Sequence, residues 1–530
     1  MEMAGVIATS ARGRGEAQAP PALESAGSKP RAWVDQMLSR RPSVGMAVGV
    51  VRHGSLEFFH GHGMADIESK TPITEETIFR IASITKTFTA IAVMQLWERG
   101  LIDLDAPAND YLRAYRLVPA KPGFRPPTVR HLLTHTSGIP EDVHLSLAHA
   151  MDFGESFELG EPVPTLAEYY RGGLKVVAEP GTRFVYTDHG FATAGQIVED
   201  VSAMPLDRYF REHIFEPLGM GDTDLNRTDD VEARLAIGYT LGSHGAKEVI
   251  DREWVTAAAS SIYSSPRDMA RYAAALMGGG ANEHGRILKA ATLAKMFEPH
   301  YQPDPRVPGI GLAFDRFNPG GHLVIGHEGV LPGFNSQIFV APDDAVAVMA
   351  FTNGAAGAML WLPAECASLM NRLLGVKDDV VRTDVPQHPE IWSDLCGWYS
   401  VPARLTDVRA RLMMGAGAEV FIRGGRLMVR VLSPIPMAYR GFVLHPDDET
   451  DPDVFRIDLS GMGIGTARVI FGRDADGAVT QANLDLMPMA LHKQPAAKNP
   501  RRWVAGALGV GALAAVALAV TRRRLARRSR

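Results

Sequence analysis

Ser83 and Lys86 stand three positions apart in the run FRIASITKTFTAIAVMQLWERG, residues 79–100. On a helix, positions i and i+3 share a face, so the alcohol and the amine would meet. An amine whose pKa is lowered by burial can take the serine proton and leave a nucleophile. Phe79, Ile81, Ile84, Phe88 and Ile91 supply apolar surroundings of that kind. The pair has a plainer reading as well, in which Ser83 caps the helix and Lys86 points at solvent. Taken alone, the pair favours the capping reading.

Other residues of reactive type are scattered along the chain. His53, His60 and His62 fall on a predicted hairpin and raise a metal site. His131 and His135 are four apart on a predicted helix, a spacing that suits zinc, but no third ligand is evident. DADG (474–477) resembles part of a calcium loop without the remaining ligands, and reads as a turn. GMGIG (461–465) is a Gly-rich turn with no helix after it, so it makes no nucleotide site. No G-x-S-x-G elbow is present, which removes the main support for an α/β-hydrolase. Cys366 and Cys396 make neither a disulfide framework nor a metal cluster.

The elements that must hold Ser83 and Lys86 follow from the pattern around them. A chain of 530 residues has a prior of roughly two to four domains. Residues 1–30 are small, polar and Pro/Gly-rich and read as disordered. Their apolar run AGVIA is shorter than the about 7–15 residues of an export signal. From residue 31 to 376 helices and antiparallel strands are mixed, the pattern of an α+β domain. VGMAVGVVRHGSLEFFHGHG alternates as a hairpin, and SSPRDMARYAAALMGGG is a helix with a serine cap, a first-turn Pro266 and a glycine stop. HGFATAGQIVEDVSAMPLDRYFREHIF has helical spacing. Residues 377–490 turn to short strands, with Gly424-Gly425 as a hairpin turn, and predict a small all-β domain, barrel or sandwich.

The C-terminus differs from the rest. Trp503–Thr521 carries no charge and runs close to the ~20 residues a bilayer needs. It lies between a basic linker (491–502) and an Arg-rich tail (522–530), and predicts a transmembrane helix. Ten Lys or Arg and no acid fall between Leu491 and Arg530; removing that +10 from the net −5 leaves −15 on the body. An acidic body argues against nucleic acid as a partner. The heavier arginine cluster after the span favours an extracytoplasmic α+β domain.

Five segments in order carry a resemblance: TIFRIASITKTFTA, HLLTHTSGIP (131–140), FVYTDHGF (184–191), SSIYSSPRDMARY (260–272) and IGHEGVLPGFNS (325–336). Over about residues 35–375 the chain resembles the serine β-lactamase and penicillin-binding-protein superfamily. It is most similar to the class C-like branch with its esterases, D-aminopeptidases and D,D-carboxypeptidases. The resemblance implies an antiparallel sheet flanked by helices, with Ser83 as acyl-accepting nucleophile, Lys86 as its proton partner and Tyr186 as a proton shuttle. It places His327, Glu328 and Gly329 at the third box, usually Lys-Thr-Gly, and the oxyanion hole at the N–H groups of Ser83 and Val330. It treats the His53–His62 hairpin as ordinary strand and the His131–His135 segment as structural support. The β domain is similar to small lipocalin-like modules of some relatives.

One residue departs from the pattern. The second box is usually Tyr-x-Asn and here is Tyr186-Thr187-Asp188. A carboxylate cannot donate to a substrate carbonyl unless protonated. A salt bridge from Asp188 would also hold Lys86 charged and shift the base role to Tyr186. The expectation is therefore a membrane-tethered serine hydrolase acting on a small ester, amide or peptide through Ser83, with no cofactor or metal. Its rivals are a D,D-carboxypeptidase or β-lactamase, and a catalytically silent binding module.

Overall fold

The structure, a computed structural model, describes residues 28–141, 143, 155–400, 417–433 and 435–501. An antiparallel seven-stranded sheet lies at its centre. β1 (Gly45–Arg52) and β2 (Ser55–Asp66) form the expected hairpin. β3 (Thr71–Pro72), β4 (Asp315–Phe317), β5 (Val324–Leu331), β6 (Phe334–Ala341) and β7 (Val346–Thr352) complete the order β4-β5-β6-β7-β1-β2-β3. The pairing of β1 with β7, Met46 opposite Thr352, joins the two ends of the α+β segment. Successive β1 side chains enter different cores: Ala47 and Val51 one, Met46, Val48 and Val50 the other. Burial on both faces is why β1 carries no polar alternation.

Helix α1 (Ser28–Arg40) covers one face through Trp33, Val34 and Met37. The other face is covered by α2 (Thr85–Glu98), α3 (Val129–Leu133), α4 (Asp188–Ser202) and α5 (Pro266–Met277). α6 (Ala358–Leu374) returns to the side of α1. Every α2 residue from Thr85 to Met94 is buried, so α2 has no polar stripe. Its hydroxyls are satisfied inside: Thr87 Oγ1 donates to Ile84 O (2.7 Å) and Thr89 Oγ1 to Ala258 O (2.6 Å). α5 begins as its sequence signals, with Ser265 Oγ accepting the Asp268 N–H at 3.2 Å. The helical run after Asp188 is interrupted: α4 stops where Ala203 turns left-handed (φ 56°), two residues before Pro205.

Among the described residues, the second domain is a near-closed nine-stranded antiparallel sheet. Its strands are β8 (Gly397–Ser400), β9 (Ala418–Arg423), β10 (Arg426–Val431), β11 (Phe442–Val443), β12 (His445–Pro446), β13 (Val454–Asp458), β14 (Thr466–Arg473), β15 (Val479–Leu484) and β16 (Ala490–Gln494). They run in the order β11-β10-β9-β8-β16-β15-β14-β13-β12 around Leu395, Tyr399, Val420, Phe455 and Phe471. Gly424 and Gly425 take positive φ (57° and 69°), which a two-residue hairpin turn requires. The Asp474 carboxylate accepts N–H groups within its own loop, so DADG is a turn. Val307 packs on Val454 and Ile470, and Arg306 pairs with both Asp304 and Asp451 at 2.7 Å, which locks the two domains together.

Among the described residues no helix is long and apolar enough to cross a membrane. The predicted span 503–521 and the tail 522–530 lie outside the described residues, as does nearly all of segment 1–30.

Candidate active site

Ser83 sits in a 3-10 turn (Ala82–Ile84) that leads into α2. Ala82 before it has φ 50°, a left-handed conformation that costs a residue with a side chain about 1–3 kcal/mol. The turn is held by its neighbours: Ile81 N–H donates to Ile262 O (3.0 Å), and Ser336 Oγ donates to Ile81 O (2.8 Å). Gly329 on β5 packs directly on this turn. A Cβ there would stand 2.2 Å from Ile81 O and from Ser336 Oγ, so only glycine admits the approach. Val330, next along β5, is 40% exposed at the rim.

Lys86 is fully enclosed. Its Nζ donates to Ser83 Oγ (2.9 Å) and Ala259 O (3.1 Å), and lies 2.6 Å from Asp188 Oδ1. The capping reading of Ser83 and Lys86 therefore fails: Lys86 does not reach solvent, and alcohol and amine touch. Burial pulls the Lys86 pKa down, but the Asp188 charge and the Tyr186 hydroxyl outweigh it and the net shift is upward. Asp188 is the first residue of α4, which brings its carboxylate onto Lys86 as the sequence anticipated.

Tyr186 precedes α4. Its ring stacks on His135 (centroids 4.3 Å apart) and lies 4.8 Å from Lys86 Nζ. The ring is 40% exposed, but its hydroxyl lies in the surroundings of Lys86 and Ser83, both of which favour its ionised form. Desolvation raises the phenol pKa more than Lys86 lowers it. His135 accepts the Thr187 N–H on Nδ1 (3.1 Å), and burial, then Lys86 and His327, hold its pKa well below the ordinary value. His327 on β5 is 3% exposed and donates from Nδ1 to Glu328 O (2.5 Å). Burial first, and Lys86 second, take its pKa down to about 3. It is a neutral imidazole at any ordinary pH.

The structure thus brings Ser83, Lys86, Tyr186, Asp188 and His327 into one cluster, with Gly329 and Val330 along its edge. The expected pairing of His131 with His135 on one helix face does not occur. α3 ends at Leu133 and His135 has φ 55°, so the two rings part. His131 instead closes the cap of α3, its Nδ1 accepting the Thr128 N–H at 3.1 Å. The His60 and His62 rings stack at 6.5 Å. Among the described residues no group of three or more His, Cys, Asp or Glu is placed to hold a metal ion.

Two contributors escaped the sequence: the Ala259 carbonyl and Glu141, whose Oε2 accepts the Asp188 N–H at 2.7 Å. Neither carries a local signal, since both partners are distant in the chain. A shallow cleft also lies between the domains, lined by Val307, Asp315, Phe317, Asp485 and Met487 among others. None of the cluster residues lines it.

Comparison with known proteins agrees with this geometry. Esterase EstB of Burkholderia gladioli is 32% identical over 217 residues, 39% of this chain and 53% of that protein. A Beta-lactamase of Yersinia enterocolitica is 27% identical over 286 residues, 52% of this chain and 66% of that protein. The chain therefore spans between half and two thirds of the length of these curated relatives. The structure of the octameric penicillin-binding protein homologue from Pyrococcus abyssi superposes with a TM-score of 0.56 at 25% identity, covering 87% of this chain and 99% of that one. A family model described as Beta-lactamase matches residues 31–362, well over half of the sequence, and the chain belongs to the beta-lactamase family.

Proposed function

We propose that this protein is a serine hydrolase that forms an acyl-enzyme on Ser83, with an uncharged ester as its preferred substrate. The observation that carries the reading is the contact of Lys86 Nζ with Ser83 Oγ at 2.9 Å, with the Tyr186 ring 4.8 Å from the same Nζ.

At rest Lys86 is charged and Tyr186 protonated, since both pKa values are raised. One proton must leave this pair before Ser83 can react. Asp188 holds the Lys86 proton and the Lys86 charge favours the phenolate, so the proton leaves Tyr186, which is then the base. Ser83 Oγ forms a bond to the carbonyl carbon as its proton passes to Tyr186. The carbonyl π pair moves onto oxygen, which the N–H groups of Ser83 and Val330 hold. Collapse breaks the bond to the alcohol, which takes the proton from Tyr186. Water then repeats the sequence on the acyl-enzyme, releasing a carboxylic acid and restoring Ser83.

The charges support the choice of substrate. Lys86 is matched by Asp188 and His327 is neutral. The cluster thus offers no uncompensated cation to a substrate carboxylate, which β-lactams and D-Ala-D-Ala peptides carry beside the scissile bond. The test is a panel of short-chain aryl esters, a chromogenic cephalosporin and D-Ala-D-Ala peptides. The esters are expected to turn over fastest, and Ser83→Ala to abolish that turnover. Full ester turnover by Ser83→Ala sinks the reading. Faster cleavage of the cephalosporin or peptide hands it to the β-lactamase or peptidase alternative.

A second proposal concerns location. The uncharged run 503–521 between arginine clusters supports a membrane tether with the catalytic domain on the extracytoplasmic side. The full chain is expected to stay in carbonate-washed membranes, and a chain ending at Arg502 to be released. Release of both removes the tether.

A further inference from the structure

Glu141 follows the HTSGIP motif and is 7% exposed, a carboxyl group with no part in the steps above. The N–H that its Oε2 accepts belongs to Asp188, in the first turn of α4. The first N–H groups of a helix have no partner within it. Thr187, at the cap position, does not serve them, because its Oγ1 donates instead to Pro140 O at 3.2 Å. Glu141 therefore supplies, from another segment, the acceptor that a cap side chain ordinarily supplies.

The grip extends one residue further. The Glu141 carbonyl lies 3.0 Å from His189 Nε2. His189 also stands 3.2 Å from Glu155 Oε1, and its Nδ1 meets the Tyr170 hydroxyl at 2.6 Å. Side chain and backbone of Glu141 thus hold two consecutive residues of α4, and the first of them is the one whose carboxylate reaches Lys86.

We propose that Glu141 is a positioning residue of the acyl-transfer site: by holding the Asp188 N–H it fixes the Asp188 carboxylate on Lys86, and so sets the charge state in which Lys86 meets Ser83. The proposal rests on the acyl-transfer reading above. The charged groups facing Glu141 are Asp188 and Glu155, which oppose its ionisation, and Lys86, which favours it. Burial comes first, and with the two carboxylates it pushes the Glu141 pKa well above the usual carboxylate range. What the geometry asks of Glu141 is an oxygen that accepts the Asp188 N–H, a role a glutamine carbonyl can copy.

The experiment compares Glu141→Gln, Glu141→Leu and Glu141→Asp in the full chain, with Ser83→Ala beside them, on a short-chain aryl ester across pH. Glu141→Gln is expected to keep kcat within about twofold, while Glu141→Leu and Glu141→Asp lose on the order of 10²-fold in kcat at unchanged KM. Their alkaline limb of kcat/KM moves to lower pH, because Asp188 no longer holds the Lys86 proton. A Glu141→Leu variant with the parent's kcat and limb overturns the proposal, and so does a Glu141→Gln variant as slow as Glu141→Leu. Where Glu141→Leu does not fold, Glu141→Asp decides, since it falls one methylene short of the N–H; equal rates for it and Glu141→Gln overturn the proposal. Turnover by Ser83→Ala brings down the acyl-transfer reading and this proposal together. Loss of turnover in Ser83→Ala beside an unaffected Glu141→Leu overturns Glu141 alone.

Discussion

Lys86 Nζ lies 2.6 Å from Asp188 Oδ1, a contact between a fully buried ammonium and a largely buried carboxylate. The second-box position, for which the resemblance implied an asparagine, carries a carboxylate in this chain. This one change decides how the nearby protons are held.

The pH profile reads it directly. Asp188 carries Lys86 upward against the pull of burial. With a neutral amide in its place the pKa values of Lys86 and Tyr186 both fall, and the one proton that must leave the pair does so at lower pH. Activity of the parent is expected to climb through the alkaline range. In Asp188→Asn the same climb is expected at lower pH. A limb at the same pH in both proteins contradicts the charge argument.

Tyr186→Phe isolates the proton carrier. The ring keeps its stacking on His135 at 4.3 Å, and only the hydroxyl near Lys86 and Ser83 is lost. A fall in kcat of roughly 10²–10⁴-fold is expected, with little change in the melting temperature. Unimpaired turnover would move the base to another group.

Reactivity toward penicillin tests the missing cation. With His327 neutral, its pKa near 3, the parent is expected to take no label from a fluorescent penicillin at saturation. A double variant, Asp188→Asn with His327→Lys, restores an amide donor and a positive charge and is expected to gain label at Ser83. Strong labelling of the parent would mean that a substrate carboxylate needs no such partner here.

Gly329→Ala tests the contact between β5 and the nucleophile turn. The added methyl meets the Ile81 carbonyl at 2.2 Å, and backbone cannot swing aside. A stability loss of about 1–3 kcal/mol is expected, together with lower kcat as the turn shifts. Gly221→Ala, where the methyl meets nothing within 4 Å, is the control and should leave both unchanged. Equal behaviour of the two variants in thermal unfolding and turnover refutes the contact's role.

Local signals were readable where the cause is local. Ser265, Pro266 and Gly278 mark both ends of α5, and Gly424-Gly425 marks a hairpin, because capping and positive φ act within a few residues. The serine, lysine and tyrosine were found through ordered motifs, and the Asp188 ion pair through a departure from one of them. Glu141 was not, since its partner is 47 residues away and nothing at SGIPE announces it. His131 and His135 were misread as sharing a helix face because the spacing assumed a helix that stops at Leu133. The break at Ala203 is likewise invisible to periodicity, which runs on through it.

The enclosure of α2 on all sides has a consequence for how the protein meets substrates. From Thr85 to Met94 no residue reaches solvent, so these amides exchange with deuterium only through the rarest, near-global openings. Ser83 is mounted at the head of one of the slowest-exchanging elements of the chain. On the proposed acyl-transfer reading, accommodation of acyl groups of different size then falls on the half-exposed rim, Tyr186 and Val330, while Ser83 stays still.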